Sequence, residues 1–311
     1  METGNFDFET LLGEGSFGKV YLVKRRKDGK PFVIKAQEQN AQNEIINKMI
    51  KAEVECMQIL RHPNVVAYHG AWSESSKFFI LMEYATNGTL KNLLDKQKSP
   101  LTENDAMYLF AQVVLGVNHI HSNNILHRDL KPDNIMLTGR MGDIVKIGDF
   151  GLSRDLQESN MSHAGSYYYI APEMLQKKPY DFKSDIWSLG VILHEMLTLD
   201  LAFPATSMEE IIEMICRNKP RLFQREQLDV SKETKIVVCK MLIKEPSRRP
   251  TTKQLILCPY LLPFVAKVYL NLGRAYSVPD ELFDLKIFQP YLKSCDKSSD
   301  QTKDYNDNIC T

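Results

Sequence analysis

At 311 residues the chain exceeds one average domain of roughly 150 residues, which points to two lobes or two domains. Its 39 basic and 39 acidic side chains cancel, so the charge indicates no polyanion partner and no nucleic acid binding. The six cysteines include no CxxC pair and read as thiols in a reducing compartment. The start, Met1-Glu2-Thr3-Gly4-Asn5, carries no signal pattern, and no apolar run approaches the ~20 residues needed to span a bilayer. A soluble intracellular, cytoplasmic protein without a membrane partner is expected.

In chain order, Phe6 to about Tyr84 reads as strand-rich, with apolar runs at Val20-Tyr21-Leu22-Val23, Phe32-Val33-Ile34 and Phe78-Phe79-Ile80-Leu81-Met82. One helix interrupts them, because Ile46, Met49, Ile50, Met57 and Leu60 recur at the spacing of one helical face, with Glu53 on the same stripe. Beyond Thr86-Asn87-Gly88 the period becomes helical. Ala106, Leu109, Phe110, Val113, Val117 and Ile120 form one stripe, and Ile186 to Leu197 forms another. Shorter helices are predicted near Met208 to Cys216, Thr234 to Leu242 and Thr252 to Leu257. The expected fold is α+β and bilobal: a small β-rich lobe over residues 1–85 with one main helix, and a larger, mostly helical lobe over 86–263. Residues 264–311 are read as a partly disordered extension, since Lys293 to Thr311 is polar and poor in aliphatic residues. The two lobes join near Glu83-Tyr84-Ala85, and ligands favour such boundaries.

Gly13-Glu14-Gly15-Ser16-Phe17-Gly18-Lys19-Val20 is a G-x-G-x-x-G loop, whose glycines let backbone amides approach phosphate closely. A dinucleotide fingerprint would open a helix after the third glycine, whereas here a strand continues, so a dinucleotide-dependent oxidoreductase is the minor reading. Downstream, Lys35 closes the strand Val33-Ile34-Lys35. A lone lysine there is ordinarily solvated, but Glu53 on an apolar helix face needs a cation or bears the cost of desolvation. Pairing the two satisfies both and leaves the ammonium available to α- and β-phosphates. Glu44 and Glu55 are alternative partners that lie off the stripe.

His127-Arg128-Asp129-Leu130-Lys131-Pro132-Asp133-Asn134 follows the long helix, and Lys146-Ile147-Gly148-Asp149-Phe150-Gly151 comes after the next strand. With these motifs in order, the chain resembles the protein kinase superfamily over about residues 6 to 263. The resemblance implies that Asp129 takes the proton of a substrate hydroxyl and that Lys131 neutralises the transferred phosphoryl group. It also implies that Asn134 and Asp149 hold Mg2+ against ATP, and that Phe150 packs beneath the helix bearing Glu53. ATP would lie against Leu12, Gly13, Gly15, Gly18 and Lys35. Its adenine would sit between Val20, Val33 and Met136, bonded to the backbone of Glu83 and Ala85, with Met82 behind.

The segment Leu152 to Ile170, before Ala171-Pro172-Glu173, holds Ser153, Ser159, Ser162 and Ser166. A phosphate there carries about −1.5 to −2 charges and can pair with arginine. Ser162 is the expected phosphosite with Arg128 as its receptor, and the resemblance assigns Ser166 to holding the substrate-facing loop through Asp129 and Lys131. It further implies that Asp185 bonds the backbone of the catalytic loop and that Glu173 pairs with Arg249.

Asp129-Leu130-Lys131-Pro132 resembles the serine/threonine class. His62-Pro63-Asn64-Val65-Val66, Ile80-Leu81-Met82-Glu83-Tyr84, Lys178 to Gly190 and Leu197 to Phe203 look most like the NIMA-related (Nek) kinases. The implied activity is a serine/threonine protein kinase acting on proteins in cell-cycle, microtubule or cilium settings, with cytoskeletal association, and a monomer is the expected state. The alternative is a pseudokinase scaffold. Val33, Ser166, Tyr167 and Ala171 depart from the usual pattern of alanine, threonine, proline and serine, which bears on pocket height and substrate preference.

Overall fold

Five strands, β1 (Phe6–Gly15), β2 (Gly18–Arg25), β3 (Pro31–Glu38), β4 (Tyr68–Glu74) and β5 (Lys77–Glu83), pair antiparallel in the order β1-β2-β3-β5-β4. They belong to a computed structural model that describes residues 1–15, 18–39, 44–150, 164–224 and 228–271. Alternation along β3 sorts its side chains: Phe32 and Ile34 join Phe6, Val23, Trp72, Phe79 and Leu81 in a core on one face of the sheet. Trp72 is the centre of that face, stacking on Phe6 at 5.9 Å and on Phe79 at 5.4 Å. Val33, Lys35 and Gln37 point the other way, where helix α1 (Glu44–Ile59) covers the sheet. Ile50, Val54, Cys56 and Met57 of α1 are buried, in keeping with the predicted stripe, while the side chains of Ile46 and Met49 lie outside the described set.

The larger lobe begins with α2 (Leu90–Lys96), started by a capping box between Thr89 and Asn92, and α3 (Glu103–Ser122), capped by Thr102. A two-stranded hairpin, β6 (Ile135–Thr138) and β7 (Ile144–Ile147), then lies against α3. The remaining helices are α4 (Pro172–Leu175), α5 (Lys183–Thr198), α6 (Met208–Arg217), α7 (Lys232–Met241), α8 (Thr252–Ile256) and α9 (Leu262–Asn271). Helix α5 is buried along almost its whole length, as a helix apolar all round must be. Two of its hydroxyls are matched inside the core: Ser188 Oγ donates to Tyr169 O at 2.7 Å and Thr198 Oγ1 to His194 O at 2.8 Å. Helix α9 packs on α3 through Val265, Ala266 and Val268, with Asn271 Nδ2 donating to Tyr108 Oη at 3.1 Å, so ordered packing extends to Asn271. The residues beyond it lie outside the described set.

Two buried polar centres tie the lobes and helices together. Asn64, just before β4, donates through Nδ2 to Gln112 Oε1 at 3.1 Å and to Val145 O at 3.0 Å, joining the small lobe to α3 and β7. Deeper in the large lobe, Arg249 forks onto Glu173 at 2.7 and 2.8 Å, the pairing expected from the sequence. Its remaining donors reach the carbonyls of Ile243, Lys183 and Lys244. Burial pushes the Glu173 carboxyl up, but Arg249 and Ser184 outweigh it and hold the group below its ordinary range.

Breaking a buried ion pair from one side costs about 3–5 kcal/mol. Arg249→Met is therefore expected to lower the free energy of urea unfolding by about that amount, through the carboxylate it strands. A pH dependence follows from His62, whose Nδ1 accepts from Asn64 N at 3.1 Å and whose ring stacks on His119. Burial, then His119 and Lys146, push its pKa down to about 3. The unfolded chain takes this proton first, so the stabilisation is complete above the ordinary value of 6.5 and is lost as pH falls below it. His62→Asn, which keeps an acceptor, should flatten the loss of unfolding free energy measured between about pH 7 and pH 5.

Candidate active site

The site is assembled from three elements that sequence places far apart. Strand pairing sets Val20 opposite Lys35 and Val33 opposite Met82, so these residues share the cleft side of the sheet. At the mouth, Gly15 pairs with Gly18, and Gly18 adopts φ +116° with the carbonyl of Ala36 only 2.1 Å from where a Cβ would sit. No other residue fits there without moving β3. Leu12 and Gly13 lie on the same hairpin, Leu12 exposed.

Lys35 Nζ donates to Glu53 Oε1 at 2.6 Å and approaches Asp149 Oδ1 at 3.5 Å. Glu53, the residue on the apolar stripe, is thus a partner of Lys35 as the sequence suggested. Burial pushes the Lys35 ammonium down, but the two carboxylates outweigh it and the net direction is upward, so the side chain is charged. Glu53 has a second donor, Gln37 Nε2 at 3.2 Å.

The loop carrying Asp129 hangs on helix α5. Asp185 accepts from the backbone amides of His127 and Arg128 at 3.0 and 2.9 Å, and from His121 Nε2 at 2.7 Å. Burial pushes the Asp185 carboxyl up, but His121 and the loop outweigh it and keep it below its ordinary range. Arg128 takes φ +69°, and its guanidinium lies 5.4 Å from the ring centre of Tyr180. Because a carbonyl can only accept, His127 Nε2 carries the proton donated to Gly148 O at 3.0 Å; its Nδ1 then accepts from Asp129 N at 3.4 Å.

Asp129 Oδ2 receives Lys131 Nζ at 2.8 Å and Asn134 Nδ2 at 2.9 Å. Asn134 Nδ2 also donates to Asp129 O at 2.8 Å, and Asn134 O accepts from Gly148 N at 3.0 Å. Asp149 follows Gly148 with φ +62°, and Phe150 is buried against His127 at 5.3 Å. Glu53, Lys35 and Asp149 thus form one set of contacts and Lys131, Asp129 and Asn134 another, and the backbone bond from Gly148, the residue before Asp149, to Asn134 brings the two sets together.

The donors suit a hard divalent cation. The Asp149 side chain is 40% exposed, and Asn134, its nitrogen spent on Asp129, keeps its amide oxygen as an acceptor.

Residues 6–261 match the protein kinase domain family. The chain belongs to the protein kinase family. It is 35% identical over 268 residues to serine/threonine-protein kinase Nek5 of Homo sapiens, covering 84% of this chain and 37% of the human protein. It is 30% identical over 289 residues to serine/threonine-protein kinase nekl-2 of Caenorhabditis elegans, covering 89% of this chain and 80% of that protein. Serine/threonine-protein kinase Nek4 of Mus musculus is 32% identical over 270 residues, 84% of this chain and 33% of the mouse protein. The chain therefore spans a little over a third of the human Nek5 kinase, and the Nek likeness read from its motifs holds across these relatives.

Glu83, at the end of β5, is held in a way its sequence did not announce: its carboxylate meets Lys146 Nζ at 2.9 Å and accepts from the amide of Ala67 at 3.1 Å. Ala85 follows in the loop between the lobes, and Met136 packs against Gly148 on the lower lobe. Three interactions went unread: Gln37 with Glu53, Glu83 with Lys146 and, deeper in the large lobe, Tyr169, whose hydroxyl donates to the buried Glu195 at 2.5 Å. Gln37 had a signal, since it lies two residues from Lys35 on one strand face. Ser162 lies outside the described residues, as does the side chain of Ser166, whose backbone belongs to a 3-10 turn, Ala164–Tyr169.

Lys35→Met removes the cation from the buried Glu53 carboxylate and is expected to lower the free energy of urea unfolding by about 3–5 kcal/mol.

Proposed function

We propose that this chain is an ATP-dependent serine/threonine protein kinase. The contacts of Glu53 and Asp149 with Lys35, joined through the Gly148 backbone to those among Asn134, Asp129 and Lys131, support this reading. The γ-phosphoryl group moves from ATP to a serine or threonine hydroxyl: the hydroxyl oxygen forms a new P–O bond as the bridging β–γ bond breaks and ADP leaves. Asp129 accepts the hydroxyl proton at its carboxylate, and Lys131, 2.8 Å away, places positive charge beside the transferred group. Lys35 orients the α- and β-phosphates while Glu53 keeps its ammonium aimed at the cleft. Asp149 and Asn134 would hold Mg2+ through their oxygens, and the ion would supply positive charge to the phosphates.

Val20 and Val33 roof the adenine, Met136 floors it, Met82 closes the back, and the backbone of Glu83 and Ala85 reads its edge. Leu12, Gly13, Gly15 and Gly18 cover the phosphates. Phosphate on Ser162 would order the substrate loop through Arg128, and Ser166 would hold that loop through Asp129 and Lys131; Ser162→Ala at full activity would end the first part. Cell-cycle, microtubule or cilium substrates rest on the Nek resemblance; a cytoplasmic location and a monomeric state are tested by localising the tagged protein and by its mass in solution.

Incubated with Mg-ATP and a serine-rich protein, the wild type is expected to incorporate phosphate on serine and threonine. Asp149→Ala should abolish it, and Asp129→Asn should slow it by about 10²–10⁴-fold. Incorporation equal in the wild type and Asp149→Ala would refute the proposal.

A further inference from the structure

Phosphate transfer as derived above makes no use of Gln37. It sits two residues after Lys35 on β3, so the pleat turns both toward α1, and it is buried. Its Nε2 donates to Glu53 Oε2 at 3.2 Å while Lys35 takes Oε1, so each carboxylate oxygen has its own donor. The orientation is fixed by chemistry, because a flipped amide would set oxygen against oxygen. Gln37 Oε1, in contrast, is buried with no hydrogen-bond partner among the described residues. An apolar side chain would avoid that desolvation cost, so packing alone does not account for an amide here.

We propose that Gln37 is a positioning residue that holds the Glu53 carboxylate, and with it α1, independently of Lys35. The proposal rests on the kinase reading above. Lys35 has competing attractions: Asp149 at 3.5 Å and, in the reaction, nucleotide phosphates. Gln37 is neutral and bonded to Glu53 alone through its nitrogen, so phosphate does not draw it away. As the ammonium shifts toward phosphate, Gln37 keeps Oε2 in place and α1 stays docked through turnover.

Two substitutions test it. Gln37→Met keeps the volume and removes the donor. Gln37→Glu restores a donor only when protonated, and beside Glu53 the like charges raise the pKa of the pair. The other charged groups facing this point are Lys35 on β3 and Asp149 after β7; the Glu38–Lys77 pair lies at the exposed end of β3 and β5. Phosphate transfer and amide exchange of the α1 segment are measured at about pH 6 and pH 8.5, each against the wild type at the same pH.

Gln37→Met is expected to lower kcat/KM by about tenfold at both pH values and to speed α1 exchange. Gln37→Glu should approach the wild type at the lower pH and fall to the Gln37→Met level or below at the higher. Wild-type rate in Gln37→Met, slower transfer with unchanged α1 exchange, or equal behaviour of the two variants at both pH values would overturn the proposal. Amide exchange reads α1 without needing catalysis. If the wild type transfers no more phosphate than Asp149→Ala, the kinase reading fails while exchange still decides the role of Gln37.

Discussion

A carboxylate on the apolar face of α1 is the constraint from which the site follows. Left alone in the core, Glu53 would be strongly disfavoured, and the remedy is a cation delivered from the neighbouring strand. Lys35 meets it at 2.6 Å, and that contact fixes where α1 sits against the sheet. One ammonium cannot be shielded by one carboxylate oxygen from every side, and its open side faces the cleft, where Asp149 arrives from the other lobe. The pair is a poor source of stability compared with an apolar core. What it provides is direction: a charged group held pointing into a cavity between two lobes.

The large lobe solves a similar problem differently. Asp185 is buried at the start of α5, yet it accepts two consecutive backbone amides and a histidine, so the carboxylate substitutes for water around a turn that cannot form its own hydrogen bonds. Arg128 within this turn has positive φ, a conformation that L side chains resist, and Asp185 supplies the bonds that hold it. The turn in turn aims Asp129 and Asn134 at Asp149 across the backbone of Gly148. Helix α5 suits this role because its apolar faces are enclosed on all sides and it has little room to shift.

Much of this was legible from residue order. The glycine loop, Lys35, Glu53 on its stripe, and the segments around Asp129 and Asp149 each carry local constraints of spacing or side-chain type, and the buried Glu173–Arg249 pairing was foreseen as well. Less visible were contacts in which neither partner is unusual where it stands. Glu83 and Lys146 are ordinary surface residue types, and only the approach of β7 to the hinge makes them partners. Helix α9 has little periodic signature of its own and is recognisable by what it covers on α3. Gln37 reads as a polar strand end until α1 closes over it.

Sequence by itself determined the chemistry available: which side chains can hold phosphate, accept a proton or bind a hard cation, because these are properties of residue types at short spacing. It also determined the two periodicities, two residues per repeat and then 3.6, that divide the chain into a sheet lobe and a helical lobe. Tertiary structure alone decided which carboxylate Lys35 meets, which donors satisfy Glu53 and Asp185, and how Asp149 comes within reach of Lys35. Those outcomes depend on burial, and burial is set by packing between segments from 16 to 114 residues apart.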